Sequence, residues 1–316
     1  MTIIDALDKG DLDLARNLLL QEVYDKVNDK NSWDSPNYTA SELTKETQRN
    51  IILDSSRDKL LTFFGLQVLT DRYFLKDNEG NIVETPQKFF ARVAAGLSEN
   101  NQELAQNLYD IISNLWFMPA TPILTNISTD RGALISCFLQ YMGDSIKDIY
   151  KTVEECAFLG SGGGGLGVYM GDVRGQGAKI KKTMKSSGTI PFMKVLDSNT
   201  LAITQGGVRR ASAATYLDIS HPDCEEFINI RKPTGGDDNR KCLNLHHGVN
   251  ITDKFMEAVK NKQPWDLICP HTKKVVKTID AFTLWKKILT NRVEIGEPYI
   301  LFIDTTNKAI LPEHEK

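Results

Sequence analysis

One cysteine in this chain has a sequence context in which a thiol could do chemistry. Cys137 lies in Leu134-Ile135-Ser136-Cys137-Phe138-Leu139, at the start of a predicted strand. A thiolate can act as a nucleophile or as one half of a redox pair. Composition alone favours the alternative of a buried structural cysteine. We interpret the other cysteines as structural or incidental, namely Cys156, Cys224, Cys242 and Cys269.

A glycine run offers a second possible site. Residues 160–167 read Gly-Ser-Gly-Gly-Gly-Gly-Leu-Gly and satisfy the pattern GxGxxG. A dinucleotide-binding fingerprint follows a strand and opens a helix, whereas here a predicted helix precedes the glycines and a predicted strand follows them. The run also lacks the Gly-Lys-Ser/Thr of a P-loop. It therefore indicates either a flexible loop or a place where the backbone closely approaches a ligand.

Basic residues follow the glycine run and suit phosphate binding. They are interspersed with Gly175, Gly177 and Gly188, and such a cluster is either a solvated face or a loop that holds phosphates. The cluster comprises Arg174, Lys179, Lys181, Lys182 and Lys185. A second short loop, Gln205-Gly206-Gly207-Val208-Arg209-Arg210, suits the reading of an anion or a base.

Composition excludes several classes of protein. The net charge of −3 gives no electrostatic reason to expect nucleic-acid binding, and no apolar run is long enough to predict a membrane span. The five cysteines are scattered and the five histidines show no ligand spacing, so we predict neither a disulfide scaffold nor a metal site. A reducing, cytoplasmic location is expected.

The elements that must position these residues fall into two parts. Up to about Trp116 the chain is predicted to be helical, with apolar stripes over 12–27, 60–74 and 104–115 and a capped helix start at Thr85-Pro86. After Pro122, short strands alternate with helices, which predicts a parallel sheet with helices on its faces. The predicted strands cover 135–141, 167–170, 213–219, 248–251 and 299–303, and the predicted helices cover 145–159, 191–203, 222–230, 253–260 and 280–293.

Together these segments resemble the large, catalytic subunit of class I ribonucleotide reductase. The resemblance rests on ordered motifs over about 200 residues. They are Phe117-Met118-Pro119-Ala120-Thr121-Pro122, Ile135-Ser136-Cys137-Phe138-Leu139, Gly162-Gly163-Gly164-Gly165-Leu166-Gly167, Gly188-Thr189-Ile190-Pro191-Phe192, Gln205-Gly206-Gly207-Val208-Arg209-Arg210, Ala214-Thr215-Tyr216-Leu217-Asp218 and Leu243-Asn244-Leu245-His246-His247-Gly248-Val249.

The resemblance implies an α/β fold with a helical N-terminal domain and the first five-stranded half of a ten-stranded α/β barrel. We place the helical domain at residues 1–122 and the half-barrel at residues 123–316. Five strands are too few to suggest a closed barrel of their own, and a half-barrel accounts for that number. Because Met1 already stands within the helical region, we expect no regulatory ATP-cone.

The resemblance also implies roles for individual residues. Thr121, Ser136, Cys137 and Gly165 resemble residues that contact the substrate, and Cys137 resembles one member of the reducing cysteine pair. The specificity site, which binds a dNTP or ATP effector, is matched by Asp144, Ser145, Ile146, Arg174 and Lys181. The connection between effector and substrate is matched by Gln205, Gly206, Gly207, Arg209 and Arg210.

Other parts of the family pattern are not found in this sequence. The Asn-x-Cys-x-Glu segment with the radical cysteine, the second redox cysteine, the tyrosine pair and the shuttle cysteines are missing. The resemblance therefore implies activity only with a C-terminal part of the large subunit and a separate small subunit that carries the metal-radical cofactor. Thioredoxin or glutaredoxin would supply electrons, and the completed large subunits would form a homodimer. No cofactor is expected to bind this chain directly.

Two alternatives remain open from the sequence. One is a fragment of the adenosylcobalamin-dependent class of reductase, which shares the barrel and the glycine loops. The other is a non-catalytic nucleotide-binding module. Cobalamin dependence would distinguish the first, and effector binding without turnover under any complementation would distinguish the second.

Overall fold

The computed structural model describes residues 2–27, 35–203 and 211–310. The chain divides into two compact units, Met1–Ile135 and Ser136–Lys316. The division falls after Ile135, whereas the sequence pattern placed it after Pro122. The intervening residues pack within the first unit, where Leu124 and Ile127 belong to its buried core.

The first unit is helical in the residues that the structure describes. Thr85 caps its central helix by accepting from Lys88 N, and Pro86 occupies the first turn, as the sequence predicts. Its helices are α1 (Ile3–Asp8), α2 (Leu12–Val27), α3 (Glu42–Arg49), α4 (Phe63–Val68), α5 (Pro86–Leu97), α6 (Gln102–Ser113) and α7 (Thr121–Asn126).

Arg92 of α5, which forms a buried ion pair, ties α5 to α7. Arg92 and Glu84 both have fully buried side chains, and Arg92 Nε donates to Glu84 Oε1 over 2.8 Å. Arg92 also donates to the main-chain oxygens of Leu124 and Ile127 over 3.2 and 2.9 Å. Because those carbonyls close the end of α7, the segment after Pro122 is anchored to the helical unit.

The second unit is built on a parallel sheet of five strands, which confirms the predicted fold class. The strands are β1 (Cys137–Tyr141), β2 (Gly165–Tyr169), β3 (Ser212–Asp218), β4 (His246–Ile251) and β7 (Tyr299–Phe302), while β5 (Pro264–Ile268) and β6 (Val275–Asp280) form a separate hairpin. The hydrogen-bonded order β1-β2-β3-β4-β7 follows the order of these strands along the chain, and every pairing is parallel. The arrangement is consistent with half of an α/β barrel.

Among the described residues of this unit, most helices pack on one face of the sheet, and the opposite face lines a cavity. Leu166, Val168, Ala213, Leu217 and Val249 point into a core shared with the helices. On the opposite face Leu139 is 90% exposed. The helices of this unit are α8 (Ile146–Ser161), α9 (Ile190–Ile203), α10 (Cys224–Phe227), α11 (Asp253–Lys260), α12 (Ala281–Ile295) and α13 (Ile303–Lys308). No described helix is long and apolar enough to cross a membrane.

Some local predictions were wrong. An antiparallel hairpin, β5 (Pro264–Ile268) with β6 (Val275–Asp280), was missed. The helix predicted over 60–74 begins at Phe63, because Thr62 accepts from Gly65 N and caps it, and its last segment, Leu69–Tyr73, is a π-helix. The helix predicted over 222–230 is reduced to Cys224–Phe227.

Candidate functional site

The open face of the sheet forms a cavity of about 860 Å³. All five parallel strands contribute side chains to it, since alternate residues of each strand point to this face. Its lining includes Cys137, Leu139, Gly165, Gly167, Tyr169, Ser212, Tyr216, Asp218, His246, Asn250 and Tyr299.

Cys137 lies at the amino end of this face and is exposed. It is the first residue of β1 and is in register with Gly165 of β2. Gly165 N donates to Ser136 O over 2.5 Å, and Ser136 Oγ lies 4.0 Å from Cys137 Sγ. A Cβ at Gly165 would lie 3.3 Å from Ser136 O, tighter than most such contacts. The structure thus brings together Ser136, Cys137 and Gly165.

The other cysteines have different surroundings. Cys156, Cys224, Cys242 and Cys269 are buried. Burial raises the pKa of Cys156 to about 11 and that of Cys242 to about 12, so both thiols stay protonated at neutral pH. Among the described cysteines, Cys137 alone presents its sulfur to solvent.

Thr121 lies in the helical unit, at the start of α7. Its side chain is exposed, and its hydroxyl is 3.0 Å from the hydroxyl of Tyr73. The hydroxyl is therefore held in place by a neighbour of its own unit.

Asp144 and Arg174, two residues predicted to contact an effector, form a two-point ion pair. Arg174 Nε and Nη2 lie 2.8 and 2.7 Å from Asp144 Oδ2, and Arg174 N donates to Asp144 Oδ1 over 2.9 Å. Hydrogen bonding to Asp144 raises the pKa of Arg174 further. Arg174 Nη1 donates to Lys179 O over 2.8 Å. Arg174 therefore holds Asp144 and the following loop together.

The other predicted effector residues lie on two different elements, the start of α8 and a turn after Arg174. Ser145 caps α8 by accepting from Asp148 N, and Ile146 is the exposed first residue of that helix. Lys181 is exposed on a tight turn in which Ile180 N donates to Met184 O over 2.9 Å. The loop of Gln205, Gly206, Gly207, Arg209 and Arg210 lies outside the described residues.

Sequence reasoning missed a buried carboxylate that holds two histidines, one at the cavity and one in the core. Glu297 Oε1 lies 2.5 Å from His246 Nδ1, Oε2 lies 2.8 Å from His247 Nδ1, and Arg231 pairs with Oε1. Burial alone would raise the pKa of Glu297, but the bonds from both histidines and the charge of Arg231 lower it to about 2. His246 faces the cavity and stacks on Tyr299.

No local signal could have identified Glu297, because 50 residues separate it from His247. The turn of the β5–β6 hairpin was missed as well. It places His271 Nδ1 3.8 Å from Asp144 Oδ2. The β-branched run Val275-Val276-Lys277-Thr278-Ile279 was the available signal for this hairpin.

Comparisons with known proteins agree with this architecture. Residues 59–132 match the family model of the ribonucleotide reductase all-alpha domain, and residues 135–315 match that of the ribonucleotide reductase barrel domain. The chain is 40% identical over 274 residues to the ribonucleoside-diphosphate reductase large subunit of Invertebrate iridescent virus 6, covering 84% of this chain and 27% of that protein.

Two further relatives carry the same name. The large subunit of Invertebrate iridescent virus 3 is 36% identical over 320 residues, with 84% of this chain and 49% of that protein covered. The large subunit of Arabidopsis thaliana is 34% identical over 318 residues, with 92% and 39% covered. The chain thus spans less than half the length of these relatives. By both family models, it belongs to the ribonucleotide reductase large-subunit family, with an all-alpha domain followed by barrel-domain sequence.

Proposed function

We propose that this chain is the N-terminal part of a ribonucleoside-diphosphate reductase large subunit. It would reduce ribonucleotides to 2′-deoxyribonucleotides by radical chemistry when joined by a C-terminal part and a radical-generating small subunit. The relatives that carry this name are roughly two to four times as long as the matched segment. Alone, the chain is expected to be inactive.

The observation that carries the proposal is the position of Cys137. Its thiol is exposed beside Ser136 and Gly165, on the sheet face opposite the helix-packed core. A reducing thiol must reach both substrate and a second cysteine, and a thiol inside the helix-facing core could reach neither.

Cys137 would supply electrons as one of two thiols. The ribose 2′-hydroxyl leaves as water, a hydrogen replaces it, and the two thiols lose two electrons and two protons to become a disulfide. Thioredoxin or glutaredoxin would then reduce that disulfide by thiol exchange. Ser136 and Gly165 would position the substrate beside the thiol, and Thr121 would contribute its hydroxyl to substrate binding.

The group around Asp144 would bind a dNTP or ATP effector. The carboxylate of Asp144, oriented by Arg174, can accept from a sugar or base, while Lys181 can neutralise phosphate charge. Ser145 and Ile146 border the same group, and the loop Gln205–Arg210 would connect effector to substrate. The metal-radical cofactor would reside in the small subunit, and completed large subunits would pair as a homodimer in the cytoplasm.

Reconstitution tests the proposal directly. The full chain is mixed with a matching C-terminal chain, a class I small subunit, an effector and dithiothreitol, and CDP reduction is measured. We expect turnover only in the complete mixture. Turnover by this chain alone, with contaminating reductase excluded, would contradict it.

Two further arms address the alternatives. A mixture that turns over only with added adenosylcobalamin, and without a small subunit, would identify the other class of reductase. Effector binding without turnover in every mixture would favour a nucleotide-binding module.

A further inference from the structure

The Asp144–Arg174 pair leaves little positive charge for a triphosphate. Arg174 directs Nε and Nη2 to Asp144 and Nη1 to a carbonyl, and the pair has no net charge. A bound triphosphate carries several negative charges, so cations other than Arg174 must balance it.

Unpaired cations lie on two turns beside this pair. The first is the turn at 178–186, which Arg174 contacts through Lys179 O and in which Ser186 N donates to Ala178 O over 2.8 Å. Six lysines on the two turns are exposed, and none forms an ion pair with a carboxylate within the described ranges. They are Lys179, Lys181, Lys182, Lys185, Lys273 and Lys274.

The second turn closes the β5–β6 hairpin, which follows Asp144 and Arg174 in the sequence, and it lies beside the ion pair. His271 Nδ1 lies 3.8 Å from Asp144 Oδ2, so the turn lies next to the ion pair. Cys269 N donates to Lys274 O over 2.9 Å and Lys273 N donates to Cys269 O over 2.8 Å, so the turn is closed by its own backbone.

The hairpin turn is anchored to the main sheet. Ile268 N donates to Ser220 O over 2.7 Å, just beyond the end of β3. Lys273 adopts a left-handed conformation with φ of 56°, which is uncommon for a residue with a side chain. The lysines and His271 are thus carried by an anchored turn.

We propose that the turn 269–274 forms a second wall of the nucleotide site and contacts the triphosphate of the effector through His271, Lys273 and Lys274. The inference rests on the effector site proposed above and adds residues from a hairpin that lies about 125 positions further along the chain. His271 would donate to a phosphate oxygen near Asp144, and the two lysines would balance charge at the outer phosphates.

The test measures dATP and inorganic tripolyphosphate binding by isothermal titration calorimetry on the full chain, alone and in the complete mixture prepared without effector. The Lys273→Ala/Lys274→Ala variant should weaken dATP binding by roughly ten- to a hundredfold, as expected for lost charge-assisted contacts. His271→Ala should weaken it by a smaller factor. Tripolyphosphate should show the same losses if the turn contacts phosphate, and an unchanged affinity for tripolyphosphate would contradict that assignment.

A matched control removes the same charge elsewhere. Lys254→Ala/Lys260→Ala removes two exposed lysines from α11 and should leave the affinity for dATP unchanged. Lys273→Arg/Lys274→Arg keeps the charge and should retain most of the binding, which guards against a folding defect in the alanine variant.

The failures of the two proposals are distinguishable. If Lys181→Ala/Lys182→Ala weakens dATP binding while the hairpin variants bind as the parent does, the hairpin inference is overturned and the effector site stands. If the parent chain binds no dATP in the complete mixture, both are overturned. An equal loss in the α11 control would show a general charge effect and would also overturn the hairpin inference.

Discussion

Cys137 and Cys156 form a matched pair for experiment, because one thiol is exposed on the open sheet face and the other is buried under it. Cys137→Ser should abolish multiple turnover in the completed enzyme, since serine cannot form the disulfide that balances substrate reduction. The free energy of unfolding should change by less than about 0.5 kcal/mol, because the substitution is at a surface position. Steady-state CDP reduction with dithiothreitol is the measurement.

Cys156→Ser supplies the control. It should retain turnover while losing roughly 1–3 kcal/mol of stability, because a hydroxyl is placed in an apolar core. Sustained turnover by the Cys137→Ser variant would remove Cys137 from the reaction and leave it a structural residue.

Glu297 makes the stability of the sheet unit dependent on acid pH. Its folded-state pKa of about 2 lies below its ordinary value of 4.5. A lowered folded pKa stabilises the fold above pH 4.5, and that contribution is lost as the pH falls towards 2. The difference corresponds to about 3 kcal/mol at neutral pH.

Glu297→Gln should therefore lose roughly 3 kcal/mol at pH 7, and the deficit relative to the parent should shrink between pH 4.5 and pH 2. Urea unfolding at a series of pH values measures it. Glu257→Gln, at an exposed position on α11, should show no such trend. A deficit that stays constant with pH would mean that Glu297 acts through packing and not through its charge.

At the residue scale, sequence could identify candidate types but not their partners. Cys137, Asp144 and Arg174 stood out because motifs surround them. The pairing of Asp144 with Arg174 spans 30 residues and depends on how the sheet orders its strands. The hydrogen bonds between Glu297 and the two histidines, His246 and His247, could not be predicted for the same reason. A single glutamate beside a proline forms no recognisable sequence motif.

At the scale of elements, the guanidinium of Arg92 joins α5 to the end of α7. Arg92→Met should destabilise the helical unit by about 3–5 kcal/mol, because it leaves the Glu84 carboxylate buried without its cation. The carbonyls of Leu124 and Ile127 also lose their donor. Thermal unfolding followed by circular dichroism measures the change.

A second variant separates charge from packing. Combining Arg92→Met with Glu84→Gln should recover part of the loss, because no uncompensated charge is then buried. Arg16→Met breaks an ion pair whose aspartate is largely exposed and should cost less than about 1 kcal/mol. An equal loss of stability on substituting Arg92 and Arg16 would show that the buried ion pair contributes no more than an exposed one.

Helices and strands were predicted correctly where the apolar residues of a segment follow a single periodicity. All five parallel strands and the helix over Asp253–Lys260 could be read from apolar spacing and turn residues. Boundaries were placed less well where a local cap sets them, as at Thr62, whose hydroxyl caps the helix predicted over 60–74 so that it begins at Phe63. The hairpin Pro264–Asp280 was missed although the β-branched run at residues 275–279 was available, because its first strand, Pro264–Ile268, begins with a proline and shows no comparable run.

At the scale of the whole molecule, the strands of the sheet pair in the order in which a ribosome delivers them. When each strand after β1 is synthesised, the strand that it pairs with has already been synthesised. No strand therefore depends on a later one for its first hydrogen-bonded neighbour. Loop closure then spans only one crossover at a time, which keeps its entropic cost low. Vectorial synthesis can therefore assemble this sheet step by step, with β1 laid down first as the template and β7 added last.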